Sequence, residues 1–110
     1  MAATAVHVIN VQAVETVTVT FTTATHYDFR PEHPIRAMTL QGDGNDNGGT
    51  LSLQGSNDNS NFFALPTAVS LTAAGIASVA QADLGYEFYR VNLSNITGTS
   101  VAVVNMAYNQ

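Results

Sequence analysis

Cysteine is absent from this sequence of 110 residues, which excludes a disulfide framework and a Cys-ligated zinc site and leaves the redox compartment open. Lysine is absent too. The only strong cations are Arg30, Arg36 and Arg90, against eight acidic residues, for a formal net charge of −5. Nucleic-acid binding relies on a basic footprint that displaces counterions from phosphates, so no nucleic-acid partner is expected. Apolar runs are also short. None approaches the roughly twenty residues that cross a bilayer, so no membrane partner is expected. The start, Met1-Ala-Ala-Thr-Ala5, lacks the basic n-region of a signal peptide, and nothing points to general secretory export. Charged residues make up only 10% of the chain. The resulting surface of Asn, Ser, Thr and Ala suits a plain solvated face and a face that meets another protein equally well.

What is present is alternation. Val17, Val19 and Phe21 interleave with Thr16, Thr18, Thr20 and Thr22, the period of two that marks a half-buried strand. Before it, Val6, Val8 and Asn10 take the face opposite to His7, Ile9 and Val11, with a bulge or corner at residues 12–13. Residues 25–35 contain Pro31 and Pro34, which remove ladder donors, so a loop is expected there, tacked to the core or to a partner by Tyr27 and Phe29. Residues 36–41 and 50–55 read as strands joined through the Gly- and Asn-rich residues 42–49, and are expected to pair as an antiparallel hairpin. Residues 62–65 form a short strand that ends at Pro66. Residues 69–75 then turn into a strand over 76–80, with a helical turn over 78–84. In residues 87–93 the side chains of Phe88, Arg90 and Asn92 oppose those of Tyr89, Val91 and Leu93. Residues 94–98 turn the chain into a final strand over 100–108. The fold class is therefore all-β: an antiparallel β-sandwich, jelly-roll-like, with about eight short strands. Residues 1–110 make one domain, with residues 1–11 as an N-terminal arm or edge strand.

Candidate chemistry is thin. Asp43, Asn45 and Asn47, followed by Gly48, match the opening of a calcium loop. Position twelve is Gln54 instead of the bidentate glutamate and the flanks are strands, so turn chemistry is the favoured reading and no cofactor is expected, calcium being the alternative. Residues 56–61 form a second carboxamide-rich loop, where Asn and Asp more commonly cap turns than bind a sugar or an ion. His26, Asp28, Glu32 and His33 fall within eight residues, but their spacing matches no metal-ligand motif. His7 reads as a packed or edge histidine. The absence of a Gly-x-Ser-x-Gly elbow and of any distinguishable carboxylate pair gives no reason to expect an enzyme. The sequons at Asn92 and Asn95 read as turn residues.

Leu51-Ser-Leu-Gln-Gly-Ser-Asn-Asp58, Phe62-Phe63, Leu65-Pro66-Thr67, the run from Asp83 to Leu93 and Thr97-Gly-Thr99 together resemble small β-sandwich proteins of tailed bacteriophage virions, over roughly residues 51–108. The Ser-Asn-Asp turn followed by an aromatic, then a Tyr-Arg-Val strand, also looks like the discoidin type of sandwich. The first resemblance implies a capsid decoration or cement subunit on the outer surface of the virion, made in the host cytoplasm, with the major capsid protein as partner and homo-oligomerisation expected. On that reading Val6, Val8, Tyr27, Phe29, Arg30 and Ile35 are the expected interface residues. The second implies a carbohydrate-binding module or a tail or head-fibre component.

Overall fold

In the computed structural model, which describes residues 3–9, 14–44, 49–95 and 98–108, the alternating segments become strands. They are β1 (Ala3–Ile9), β2 (Val14–Phe21), β3 (His26–Phe29), β4 (Ile35–Gly42), β5 (Thr50–Ser56), β6 (Phe63–Ser70), β7 (Gly75–Ser78), β8 (Phe88–Leu93) and β9 (Ser100–Tyr108), with a 3-10 turn at Gln81–Asp83. In β2 and β8 every second residue is buried, as the period of two requires.

The strands form two antiparallel sheets, one in the order β1-β2-β9-β4-β7 and the other β3-β8-β5-β6. The pairs β2–β9, β3–β8, β4–β7 and β5–β6 are nested. A long hairpin rolled over on itself produces that order, which is the eight-stranded jelly roll. β1 lies outside the roll, paired to β2 from Ala3 opposite Phe21 to Ile9 opposite Glu15.

Three local expectations fail. β4 and β5 do not pair as a hairpin, because they belong to different sheets and the intervening chain crosses between them. Gly44 makes the start of that crossing possible: its φ is +73°, and a Cβ there would lie 2.3 Å from the backbone nitrogen of Ala74. Residues 26–29, expected within a loop, form β3, because both prolines fall beyond its end. The strand expected to stop at Pro66 runs through it. β6 is an edge strand whose pairing with β5 shifts between Ser52 and Gln54, and a proline is tolerated at such an edge irregularity.

The core lies between the sheets. Val17, Val19, Phe21, Leu40, Val104 and Met106 from one sheet meet Leu51, Leu53, Tyr89, Val91 and Leu93 from the other, all essentially inaccessible to water. Phe29 and Tyr89 stack with ring centroids 5.8 Å apart, and Tyr86 sets its ring edge-on to Tyr89 at 6.2 Å. The Tyr86 ring rests on bare backbone, since a Cβ at Gly55 would fall 2.7 Å from its Cδ2.

Candidate functional site

One charged residue breaks the apolar phase of β2. Glu15 stands on the same face as Val17, Val19 and Phe21 and is only 1% exposed. Burying a carboxylate without partners would be prohibitive, so the surroundings supply donors. The Tyr108 hydroxyl donates to Oε1 at 2.7 Å, and the Glu32 backbone N–H donates to the same oxygen at 3.3 Å. His7 Nδ1 lies 3.3 Å from Oε2. With its proton on Nδ1, His7 accepts the Tyr27 hydroxyl at Nε2, at 2.7 Å. Glu15 thus joins β1, β2, β3, β9 and the loop after β3 into one polar knot where β2 begins and β9 finishes. His33 sets its ring edge-on to Tyr108, at 4.9 Å.

Beside this knot an open cleft of about 430 Å³ lies between residues 30–35 and 84–87. Arg30 bridges its walls by an ion pair with Glu87, and its guanidinium sits 5.5 Å from the Phe88 ring centroid. On the outer face of the second sheet, Arg90 makes a bidentate pair with Asp28, at 2.7 and 3.0 Å, and covers the Phe62 ring at 4.0 Å. Asp28 and Arg90 are directly opposed residues of β3 and β8.

The expected interface residues separate into two groups. Val6 and Val8 are exposed on β1, Arg30 is exposed at the cleft, and Tyr27 is half-buried with its hydroxyl on His7. Phe29 and Ile35, at 5% and 8% exposure, belong to the core instead. They face inward because each occupies a buried position of a strand, so they hold the loop between them from beneath and present nothing to a partner. Of the calcium candidates, Asn45 and Asn47 lie outside the described residues, and Asp43 accepts the Val101 backbone N–H at 2.8 Å. Among the described residues, no group of three or more His, Asp or Glu side chains is placed to hold a metal ion.

The second Asn-rich loop is built from turn chemistry. Asp58 accepts hydrogen bonds from the backbone N–H groups of Asn61 and Ser60, the Asn61 side chain and the Ser56 hydroxyl, which together hold its carboxyl well below the usual range. Asn57 Oδ1 accepts the Glu87 backbone N–H at 3.1 Å.

Sequence reasoning passed over Glu15 and Tyr108, although a signal for Glu15 exists: a carboxylate in phase with Val17 and Val19. Their environment has a measurable consequence. Burial raises the Tyr27, Tyr89 and Tyr108 phenols above their ordinary value, and the Glu15 carboxylate adds to the effect at Tyr27 and Tyr108. A phenol raised on folding is neutral in both states below about pH 10, where its full contribution is present. Above that, the unfolded phenols ionise first and stability falls. Tyrosinate absorbance at these residues is therefore expected to rise together with loss of the β-sheet circular dichroism signal. Complete ionisation with the sheet intact would contradict this.

The fold and this arrangement define a class: a jelly roll with a filled apolar interior, an added N-terminal edge strand and a polar knot at one end. Solved structures with a similar overall fold match the chain over most of its length, and the likeness concerns the fold alone. The SPBc2 prophage-derived protein YomS is similar with a TM-score of 0.64 at 12% identity, covering 90% of this chain and 98% of its own. A cupin domain from Bordetella pertussis Tohama I gives 0.55 at 11% identity, covering 98% and 95%. The cupin domain of an XRE family transcriptional regulator from Enterobacter cloacae gives 0.51 at 8%, with full coverage of both chains. Identities this low establish a shared fold. Neither a protein-family model nor a curated protein sequence matches the chain. Among the described residues, no helix is long and apolar enough to cross a membrane.

Proposed function

We propose that this chain is a structural protein of a phage virion, a decoration or cement subunit that binds the outer shell and bridges neighbouring capsid proteins by contact, without catalysis. The observation that carries the reading is the correspondence, over 90% of this chain and 98% of the other, with a prophage-derived protein. The roll's interior is occupied by aliphatic and aromatic side chains, which suits a rigid spacer. An acidic, lysine-free chain suits a surface turned away from packaged DNA. On this reading the Arg30 loop and its cleft face the shell, and Val6 and Val8 on β1 meet other protein. Affinity comes from avidity, since one stiff subunit spanning two capsomers makes its second contact at high effective concentration.

Quantitative mass spectrometry of purified particles from a phage that encodes the chain tests this. A copy number comparable to that of the major capsid protein is expected, and absence from particles would overturn the proposal. A few copies per particle would instead favour a tail or head-fibre component. A carbohydrate-binding module remains the second reading, favoured by Phe63, which is 67% exposed at the start of β6 beside the Asn-rich loop. Glycan binding lost on Phe63→Ala would support it.

A further inference from the structure

The four edge strands of the two sheets are β1, β7, β3 and β6. Three carry features that discourage a further strand. β3 and β7 are four residues long, and β6 contains Pro66 at its irregularity. β1 has no such protection. It runs for seven residues, Ala3-Thr-Ala-Val-His-Val-Ile9, without proline, glycine, carboxylate or guanidinium. Of the five large hydrophobic residues exposed among the described residues, it carries three: Val6 at 61%, Val8 at 55% and Ile9 at 51%.

We propose that β1 pairs antiparallel with β1 of a second copy across a two-fold axis through Val6, joining two five-stranded sheets into one of ten strands. Val6 is the middle residue, so this register gives all seven residues a partner: Ala3 with Ile9, Thr4 with Val8, Ala5 with His7, and Val6 with itself. On the face shared with the core, the two large side chains then lie opposite alanines. On the outer face, Thr4, Val6 and Val8 form a β-branched ladder, the residue type that packs well on a pleated surface. A two-fold shifted to His7 would instead oppose two imidazoles and leave Ala3 and Thr4 unpaired. The Glu15 and Tyr27 hydrogen bonds hold the His7 ring, 36% exposed, on the core-side face of β1.

Local charge does not oppose that occupant at this edge. A chain of net charge −5 repels its own copies, and β1 offers an approach with no carboxylate on the contacting strand. A strand of this length, at about 3.3 Å per residue, is roughly 23 Å long. Pairing two such strips buries on the order of 1,000 Å² in total, at the low end for specific association. The dimer is therefore expected to be weak and concentration-dependent. This pairing deepens the assembly reading, because a two-headed unit spans two capsid sites, yet it stands on the geometry of the isolated protein.

Analytical ultracentrifugation of the full chain over a wide concentration range is expected to show a monomer–dimer equilibrium. Val6→Lys, which sets two ammonium groups face to face, is expected to weaken it at least tenfold, and Val6→Thr to preserve it. Circular dichroism of both variants checks that the fold is kept. The chain has no cysteine, so Val6→Cys is expected to crosslink to itself on mild oxidation. Thr4→Cys alone is not, whereas Thr4→Cys combined with Val8→Cys is. A wild type that stays monomeric at several hundred micromolar, or crosslinking in the single Thr4→Cys variant but not in Val6→Cys, overturns the proposal. A dimer that fails to join particles would leave the pairing standing and remove the decoration reading.

Discussion

Tyr89→Ala is expected to destabilise the protein by about 3–5 kcal/mol, the range for deleting a large buried aromatic ring. Tyr89 has no exposed surface and sits between the stacked Phe29 ring and the edge-on Tyr86 ring, with its hydroxyl donating to the Asp83 carbonyl at 3.0 Å. Removing it opens a cavity under β3 and frees the 3-10 turn that the hydroxyl anchors. Domains of this kind are typically stable by only about 5–15 kcal/mol, so the variant stands close to unfolding. Tyr89→Phe keeps the packing and loses one hydrogen bond, for about 1 kcal/mol. Urea denaturation followed by circular dichroism separates the two. A cost below about 1 kcal/mol for the alanine variant would mean that Tyr89 is not the keystone its burial indicates.

Glu15→Ala is expected to cost about 2–4 kcal/mol, because it leaves the buried Tyr108 hydroxyl without its acceptor and removes the partner of the part-buried Glu32 N–H and His7 Nδ1. Glu15→Gln retains one carbonyl oxygen and should cost less. The alanine variant also has a local signature. His7 is the side chain by which β1 reaches the knot, and the rest of that strand's inner face is small or exposed. Hydrogen exchange of the β1 amides is therefore expected to quicken more than exchange in β9. Uniform quickening across both strands would show that Glu15 stabilises the whole domain without anchoring β1.

The two variants differ in how readable their sites are. Tyr89 follows from alternation: residues 87–93 place Tyr89, Val91 and Leu93 on one face, and all three are buried. The inward faces of β2 and β9 are equally legible, since Val17, Val19 and Phe21, like Ala102, Val104 and Met106, keep strict phase. Glu15 is legible only as an anomaly. Nothing in its neighbourhood of sequence says that Tyr108 and Glu32 will arrive to satisfy it, because those contacts span 93 and 17 residues. The Gly- and Asn-rich chain after β4 misled for a related reason. Such residues permit a tight hairpin and a crossing between sheets alike, and the choice depends on where β4 and β5 must pack.

Alternation marked β2, β8 and β9 with their buried faces and pointed to a two-layer architecture, because a period of two leaves an apolar face that has to be covered. β3 and the full length of β6 were not visible in it. The lack of lysine, cysteine and long apolar runs, also visible at once, set the bounds on chemistry. Partner choice is different. Which strands pair, that Phe29 and Ile35 serve the core while Val6 and Val8 face outward, and that a buried carboxylate ties down the first strand were decided only by tertiary structure. These outcomes depend on residues far apart in the chain meeting in space, and local pattern carries no information about distance in three dimensions.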